Sequence, residues 1–193
     1  AAALQRLVTA PQNNKAWQQL EQANWLADGN AGAKHIIYTF TDPNCPFCHR
    51  LRQAAAPYID KGQVQLRHIM VGILRQDSLS KAANIVGAKA PSVALQQHIK
   101  GMHNVDNDAV SKGEAIILKN NSLMQQLGLA KVEQRAVVAT LGFIGRGRGA
   151  ALDAVGNKLV EDVHRFPPLP ARHTQGHCKR QHVISELQRG IGY

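Results

Sequence analysis

Two of the three cysteines in the chain, Cys45 and Cys48, are separated by two residues in the motif Cys-Pro-Phe-Cys. Two thiols at this spacing can exchange a disulfide if one is a thiolate near neutral pH and the other can resolve the mixed disulfide. The same spacing also supplies half of many zinc sites. The motif therefore indicates either redox or metal chemistry, and its surroundings must distinguish them.

The residues around the motif predict a buried strand followed by a helix. Residues 35–40 form a compact run rich in β-branched and aromatic side chains, which is typical of a buried strand. Residues 49–59 carry apolar side chains at helical spacing, and Pro57 is expected to bend that helix. Cys45 would then lie at a helix N-terminus, where unpaired amides and the positive helix end stabilise a thiolate. We therefore predict that Cys45 is the nucleophile and Cys48 the resolving cysteine.

Four neighbouring residues are expected to flank and tune this dithiol. Pro46 suits the first helical turn because no amide donor is needed there, and the bulky Phe47 adds no donor near the sulfur. Asp42, three residues before Cys45, could tune the thiolate or simply form a turn. His49 could add positive charge when it is protonated. We expect neither a cofactor nor a metal ion at this site.

A zinc site is the alternative interpretation of the motif. A CxxC directly after a buried strand and at the start of a helix is the redox context, whereas zinc motifs lie in tight turns. A purely structural disulfide would close only a very short loop and would stabilise little. Redox chemistry is therefore favoured over a zinc-binding module. The residues that could complete a zinc site lie near the C-terminus and are His173, His177, Cys178 and His182.

A second strand is predicted after the helix that follows the motif. Residues 64–71 alternate between polar and apolar side chains and then become fully apolar, so strand, CxxC, helix and strand follow in order. His68 lies in this second strand and is interpreted as a hydrogen-bonded residue of the sheet rather than as a ligand or base.

The segment after the second strand predicts helices. Residues 78–101 are rich in Ala, Leu, Ile and Val and indicate helices that are broken near Pro91. Residues 109–127 indicate a further helical stretch, which Gly113 and a pair of asparagines could interrupt. These helices are expected to form an insertion between elements of the sheet.

The composition is that of a globular protein, with 44% hydrophobic and 19% charged residues. No apolar run is long enough to span a bilayer, so we expect a soluble protein. The net charge of +10, from 23 Lys and Arg against 13 Asp and Glu, would attract anionic surfaces. In the charge-dense residues 131–193, basic residues are not interleaved with aromatic residues as in a nucleic-acid platform, so no nucleic-acid partner is expected.

Residues 38–48, with the sequence Tyr-Thr-Phe-Thr-Asp-Pro-Asn-Cys-Pro-Phe-Cys, resemble the catalytic domain of the DsbC/DsbG family of periplasmic thiol:disulfide interchange proteins. This family is part of the thioredoxin superfamily. The resemblance implies a thioredoxin fold with a helical insertion, preceded by an N-terminal linker helix. It covers about residues 17–128 and includes the segments 25–29, 64–67, 71–72 and 123–128.

The same resemblance implies activities and partners. Members of the family act as isomerases, as reductases and as chaperones on oxidised or misfolded periplasmic proteins. A membrane reductant of the DsbD type keeps them reduced. The resemblance also implies a V-shaped homodimer, built on a dimerisation domain that precedes the linker helix.

Two features of the chain depart from the family pattern. The chain begins where the linker helix would lie, so the dimerisation domain is missing here and a monomer is expected. The family also has a Thr-Pro pair with a cis proline that aligns substrate backbone opposite the dithiol, whereas no proline lies between Pro91 and Pro167 here. A binding or chaperone-like protein with impaired catalysis is therefore the alternative function.

We divide the chain into three parts on this basis. Residues 1–27 are the linker helix region, in which Trp17 and Trp25 are expected to pack onto the domain. Residues 28–130 are the thioredoxin-like catalytic domain with its helical insertion. Residues 131–193 are a divergent basic tail that lacks the expected strand pair and closing helix. We hypothesise that a shifted reading frame produced this tail, and a genuine divergent extension is the alternative.

Overall fold

The computed structural model describes residues 15–128 and the strand residues 144–146. None of the helices in this part of the chain is long and apolar enough to cross a membrane. The strands are β1 (Leu26–Asp28), β2 (His35–Thr41), β3 (Val64–Met70) and β4 (Ile144–Arg146). The helices are α1 (residues 15–21), α2 (Pro46–Asp60), α3 (Ser78–Gly87), α4 (Pro91–Ile99) and α5 (Asn107–Gln126).

The strands form one mixed sheet in the order β1-β3-β2-β4. The central pair, β2 and β3, is parallel, and α2 makes the crossover between them. In this pair His35 lies opposite Val64 and Thr41 lies opposite Met70. The edge strands β1 and β4 are both antiparallel to their neighbours. The order of strand, CxxC, helix and strand is therefore the one that the sequence predicts.

Helix α2 packs its apolar side against one face of this sheet. Ile37 and Leu66 on the strands belong to the same buried cluster as Leu51 and Ala55 on the helix. Both motif cysteines are part of this cluster, so the dithiol is anchored in the hydrophobic core. The helix continues through the exposed Pro57 and ends at Asp60.

The opposite face of the sheet is covered by α1 and α5. Trp17 on α1 is buried against Tyr38, with the two ring centroids 5.1 Å apart in an edge-to-face arrangement. The Trp25 ring makes a similar contact with Tyr38 at 6.3 Å. Met124 on α5 belongs to the same cluster. The two tryptophans therefore pack the segment before β1 onto the domain, as predicted.

Helices α3 and α5 approach each other closely through two glycines. A Cβ atom on Gly113 would lie 2.0 Å from the carbonyl oxygen of Ala83, and one on Gly87 would lie 1.9 Å from that of Ala109. Side chains are excluded at both positions, because real Cβ atoms do not approach backbone so closely. Gly113 therefore serves helix packing, and it does not interrupt α5, contrary to the sequence prediction.

The two asparagines in α5 do not interrupt the helix either. Asn120 is buried and its Nδ2 donates to the carbonyl of Met70 at 2.9 Å and to that of Asn24 at 3.2 Å. Asn121 accepts a hydrogen bond from the backbone N–H of Gly72 at 3.1 Å. Asn120 thus connects the helix to β3 and Asn121 connects it to the segment after β3, instead of competing with the helix backbone.

Two strands were not predicted. β1 is a three-residue strand at the boundary of the predicted linker region, and β4 lies within the predicted divergent tail and pairs with β2. The tail therefore supplies one edge strand of this sheet. The predictions for residues 1–14 and for the rest of the tail, including the alternative zinc ligands from His173 to His182, fall outside the described residues.

Candidate active site

Cys45 is the N-cap residue of α2, and Pro46 follows it at the helix start. The Sγ atom of Cys45 accepts a hydrogen bond from the backbone N–H of Cys48 at 3.2 Å, which is the bond that a polar N-cap side chain usually makes. The N–H of Cys45 donates to the carbonyl of Asp42 at 2.9 Å. The sulfur therefore lies at the positive end of the helix, in the position predicted from the sequence.

Cys48 lies one helical turn further on and faces the sheet. Both motif cysteines are free thiols, and the Sγ of Cys48 lies 3.8 Å from the carbonyl oxygen of Phe40, to which it donates. Burial raises the pKa of the Cys48 thiol well above its usual value, and hydrogen bonding and charge from Cys45 raise this pKa further. The carboxylate of Asp42 adds the smallest contribution in the same direction. The environment of Cys48 thus strongly favours the protonated thiol.

Asp42 is a buried carboxylate that connects the motif loop to the segment after β3. Its Oδ1 accepts from the N–H of Asn44 and from the hydroxyl of Ser78, each at 2.8 Å. Its Oδ2 accepts from the N–H groups of Ile73 at 2.8 Å and Leu74 at 2.9 Å. None of these four bonds involves a sulfur atom. Asp42 therefore positions the loop that precedes the dithiol.

The other predicted flanking residues lie on the first turn of α2. Phe47 is half-buried against the cluster that contains the cysteines, and the guanidinium of Arg50 lies 5.7 Å from its ring centroid. The Nε2 of His49 lies 3.5 Å from the carbonyl oxygen of Pro43, just before the motif. The structure thus brings Pro46, Phe47 and His49 next to the two thiols.

Sequence reasoning missed two histidines beside the motif loop. His98 on α4 donates its Nε2–H to the carbonyl of Pro43 at 3.0 Å, and its Nδ1 lies 3.1 Å from the Nδ1 of His103. Burial lowers the pKa of His98, and the charges of His103, His49 and Lys81 lower it further, while the bond to Pro43 acts in the opposite direction. No sequence signal connects these residues to the motif, because only the fold brings α4 to this loop.

A second feature that the sequence analysis missed is a set of polar side chains where α2 meets the sheet. We call it the Asp28 cluster, and its members are Asp28, Thr41, Arg52 and His68. The Oγ1 of Thr41 is 2.8 Å from the Nδ1 of His68, and the Nε2 of His68 is 3.7 Å from the carboxylate of Asp28. Arg52 forms an ion pair with Asp28. Burial acts to raise the pKa of Asp28, but its contacts with His68 and Arg52 outweigh burial and lower this pKa.

The Asp28 cluster and the dithiol meet at one cleft. Thr41, Arg52 and His68 line this cleft together with Cys48, and residues of α4 close its other side. His68 is hydrogen-bonded within the sheet, as predicted. One sequence signal could have indicated its importance. His68 is a polar residue two positions after Leu66, on the face of β3 that packs against α2.

No group of three or more His, Cys, Asp or Glu side chains is arranged to hold a metal ion in the part of the chain that the structure describes. The Sγ of Cys45 accepts from the N–H of Cys48, and the Sγ of Cys48 donates to the carbonyl of Phe40, while the Cys45 side chain and the Asp42 backbone also interact with the Cys48 thiol. The tail residues of the zinc alternative are outside this part of the chain.

Comparison with known proteins supports the redox interpretation. The family profile described as Thioredoxin matches residues 22–140. The Pseudomonas aeruginosa protein named thiol:disulfide interchange protein DsbG is 43% identical over 131 residues, which cover 66% of this chain and 51% of that protein. The Escherichia coli K12 protein of the same name is 36% identical over 129 residues, covering 65% and 52%. The chain thus spans about half the length of these curated relatives.

Solved structures agree on the fold. The thiol-disulfide exchange protein alpha-DsbA2 from Wolbachia pipientis superposes with a TM-score of 0.51 at 18% identity, over 67% of this chain and 84% of that one. A likeness at this level of identity establishes the fold alone. The α/β thioredoxin fold with a helical insertion, predicted from the sequence, is confirmed.

Proposed function

Because this chain belongs to the thioredoxin family, we propose that it is a thiol:disulfide oxidoreductase that acts on protein substrates through Cys45 and Cys48. In this reaction the Cys45 thiolate attacks a substrate disulfide, forms a mixed disulfide and releases one substrate thiolate. The Cys48 thiolate then attacks the Cys45 sulfur, releases the second substrate thiolate and closes the Cys45–Cys48 disulfide. Two electrons pass to the substrate. If a substrate thiolate attacks the mixed disulfide instead, the outcome is isomerisation.

The unequal environments of the two sulfurs carry this proposal. The Sγ of Cys45 lies at the helix start and accepts the N–H of Cys48, so negative charge on it is stabilised. Burial raises the pKa of Cys48, which suits a thiol that reacts only after the mixed disulfide has formed. These environments support the assignment of Cys45 as the nucleophile and Cys48 as the resolving cysteine. Pro46, Phe47 and His49 would flank the substrate disulfide, and Asp42 would hold the loop.

The substrates, partners and location follow from the relatives and from the family resemblance. Since the two curated relatives are named thiol:disulfide interchange proteins, we extend that reaction to this chain. We further propose that it acts on oxidised or misfolded periplasmic proteins and that a DsbD-type membrane protein reduces it again. For the whole protein, the resemblance implies a homodimer.

Trapping of the mixed disulfide tests this function. The Cys48→Ser chain should accumulate a covalent adduct with an oxidised peptide, because Cys45 attacks but nothing resolves the product. The Cys45→Ser chain should form no such adduct, and the control Cys178→Ser should behave like the unaltered chain. Mass spectrometry of tryptic fragments identifies the cysteine that carries the peptide.

Two results would contradict the proposal. In the Cys48→Ser chain, an adduct on Cys178 with none on Cys45 would show that the motif is not the reactive site. Stoichiometric zinc in the purified chain, lost on Cys45→Ser, would favour the zinc-binding module.

A double Cys45→Ser and Cys48→Ser variant that still suppresses aggregation of an unfolded protein would reveal a separate chaperone-like activity.

A further inference from the structure

Two histidine rings meet where α4 ends. The Nδ1 atoms of His98 and His103 lie 3.1 Å apart, and the centroids of the two rings lie 4.7 Å apart. The other nitrogen of His98, Nε2, donates its N–H to the Pro43 carbonyl at 3.0 Å. The neutral His98 ring therefore presents the lone pair of its Nδ1 to His103.

The end of α4 brings the two rings together. The N–H of Gly101 donates to the carbonyl of His98 at 2.9 Å. The N–H of Met102 donates to the carbonyl of Gln97, also at 2.9 Å. These paired bonds are those of a glycine C-cap, in which the glycine takes a left-handed backbone conformation, and Gly101 has a φ of +80°. The chain therefore reverses at Gly101 and returns His103 to the side of His98.

Asn84 on α3 holds the backbone on the other side of His103. Its Nδ2 donates to the carbonyl of Asn104 at 2.7 Å, and its Oδ1 accepts from the N–H of Asp106 at 2.8 Å. His103 is thus tethered through the residues before it and after it. A pair of ligands that is already positioned loses less conformational entropy when it binds.

The separation of the two nitrogens suits two ligands of one metal ion. Imidazole nitrogens bind such ions at about 2.0–2.1 Å, so nitrogens 3.1 Å apart would subtend an angle of about 100° at the ion. This angle lies between those of square-planar and tetrahedral sites. The bond from His98 Nε2 to the Pro43 carbonyl is the kind of second contact that orients a metal-binding histidine. The pair therefore has the spacing and the support of a two-histidine ligand set.

The surroundings of the rings favour a copper ion. Both histidines line a cavity of about 100 Å³, which leaves room for water at the remaining ligand positions. The half-exposed Met102 lines the same cavity with its thioether. Among the described residues around this cavity none is Asp or Glu, so Mg²⁺ and Ca²⁺ lack the carboxylates that they prefer. Nitrogen ligands bind Cu²⁺ more tightly than the other divalent first-row ions.

Lys81 on α3 opposes the binding of any cation. It lines the same cavity, and its Nζ lies 2.7 Å from the carboxylate of Asp77 and 2.9 Å from the Oδ1 of Asn44. Asp77 offsets part of this positive charge and holds it in place. We therefore expect weaker copper binding than at a site with a carboxylate ligand.

We propose that His98 and His103 form a binding site for Cu²⁺, with the Nδ1 of each ring as a ligand and water at the remaining positions. Without the ion, His103 Nδ1–H donates to His98 Nδ1. The ion takes the place of that proton, and His103 carries its proton on Nε2 instead. The site uses neither motif sulfur and does not depend on the exchange reaction proposed above.

Paramagnetic broadening by Cu²⁺ in a nitrogen-15 NMR spectrum locates the site. In the oxidised chain Cys45 and Cys48 are joined, and iodoacetamide blocks Cys178, so that no thiol competes for the ion. Stepwise addition of Cu²⁺ should broaden the amide signals of residues 97–104. Copper bound by the other histidines of the chain broadens signals elsewhere and is thereby separated from this site. Glycine as a competing chelator measures the affinity.

Three histidine variants give the comparison. His98→Gln and His103→Gln should each weaken Cu²⁺ binding at this site at least about 10-fold, because loss of even a supporting contact costs a metal site that much. His35→Gln is the matched control, since His35 lies on β2 and does not line the cavity, and it should keep the full affinity. His103 is exposed, so its replacement leaves the core intact.

Equal broadening of residues 97–104 in the unaltered and His103→Gln chains would overturn the proposal, and so would the absence of broadening there in the unaltered chain. The second result would leave the two rings joined by a hydrogen bond alone. If His98→Gln fails to fold, the comparison of His103→Gln with His35→Gln still decides the matter.

Discussion

Asp42 and His98 illustrate how single residues outside the Cys-Pro-Phe-Cys motif hold the site. Asp42 fixes the segment that contains Ile73 and Leu74, and His98 holds the carbonyl of Pro43 immediately before the motif. Both act on the backbone that leads into Cys45. The orientation of Cys45 therefore depends on hydrogen bonds made by neighbours of the motif loop.

His98 should make the folded state sensitive to acid. Its pKa is lowered in the folded protein, mainly by burial, below the ordinary value of 6.5. Above that pH the ring is neutral in both states and has no effect. As pH falls below 6.5, the unfolded chain binds a proton that the folded chain resists, so stability is lost. His98→Gln, whose amide can still donate to Pro43, should show a smaller loss in urea unfolding between neutral and mildly acidic pH.

His103→Gln is the matching control for this pH dependence. The charge of His103 is a smaller cause of the shift than burial, so this variant should keep most of the acid sensitivity. The explanation fails if the His98→Gln and unaltered chains lose equal stability over the same pH interval.

At the residue scale, the sequence was informative only where contacts are local. Cys45 and Cys48 lie three positions apart, so the motif and the helix start beside it are visible without the fold. His98 contacts Pro43 across 55 positions, and Gln96 contacts Asp28 across 68. No periodicity or short motif encodes such pairs, which is why His98, His103 and the Asp28 cluster were missed.

At the scale of elements, hydrophobic patterning located the central strands and the helices well. β2, β3 and the break before α4 lie where the sequence places them. The errors arose where tertiary packing overrides local preference. Gly113, Asn120 and Asn121 were expected to interrupt α5, but they make its contacts with α3, β3 and the segment after β3. β1 was missed because three residues are too few to show alternation.

Gly113→Ala tests the close approach of α3 and α5. Alanine would favour the helical conformation by about 1 kcal/mol, but its Cβ would lie 2.0 Å from the carbonyl oxygen of Ala83. We expect the strain of separating the helices to dominate, with a net loss of about 1–3 kcal/mol in the free energy of unfolding. Urea denaturation followed by circular dichroism measures this change.

Gly32→Ala is a suitable control, because a Cβ atom there meets its nearest neighbour at 3.4 Å. This change should leave stability the same or raise it by less than about 1 kcal/mol. A Gly113→Ala chain that is as stable as the Gly32→Ala chain would contradict the packing explanation.

On the scale of the whole molecule, charge is the property most directly read from the sequence. The net charge of +10 creates a long-range field that increases the rate of encounter with anionic molecules. The fold does not alter this sum. It determines only where the charges lie.

Disulfide exchange with charged peptides should reveal this field. A peptide disulfide flanked by acidic residues should form the mixed disulfide at least about 10-fold faster than its basic counterpart at low ionic strength. The difference should shrink as salt shortens the screening length to a few ångströms. Stopped-flow rates at several salt concentrations measure this, and rates that do not respond to salt for either peptide would exclude steering.

The three-residue strand β1 places Asp28 at the edge of the sheet, paired only with β3 among the described strands. A peptide copied from residues 42–60 would contain both thiols and the whole of α2, yet it would lack Asp28 and His68 and the two strands that carry them. In such a peptide Arg52 would have lost its carboxylate partner, because the ion pair between α2 and Asp28 forms only when the edge strand β1 has joined the sheet.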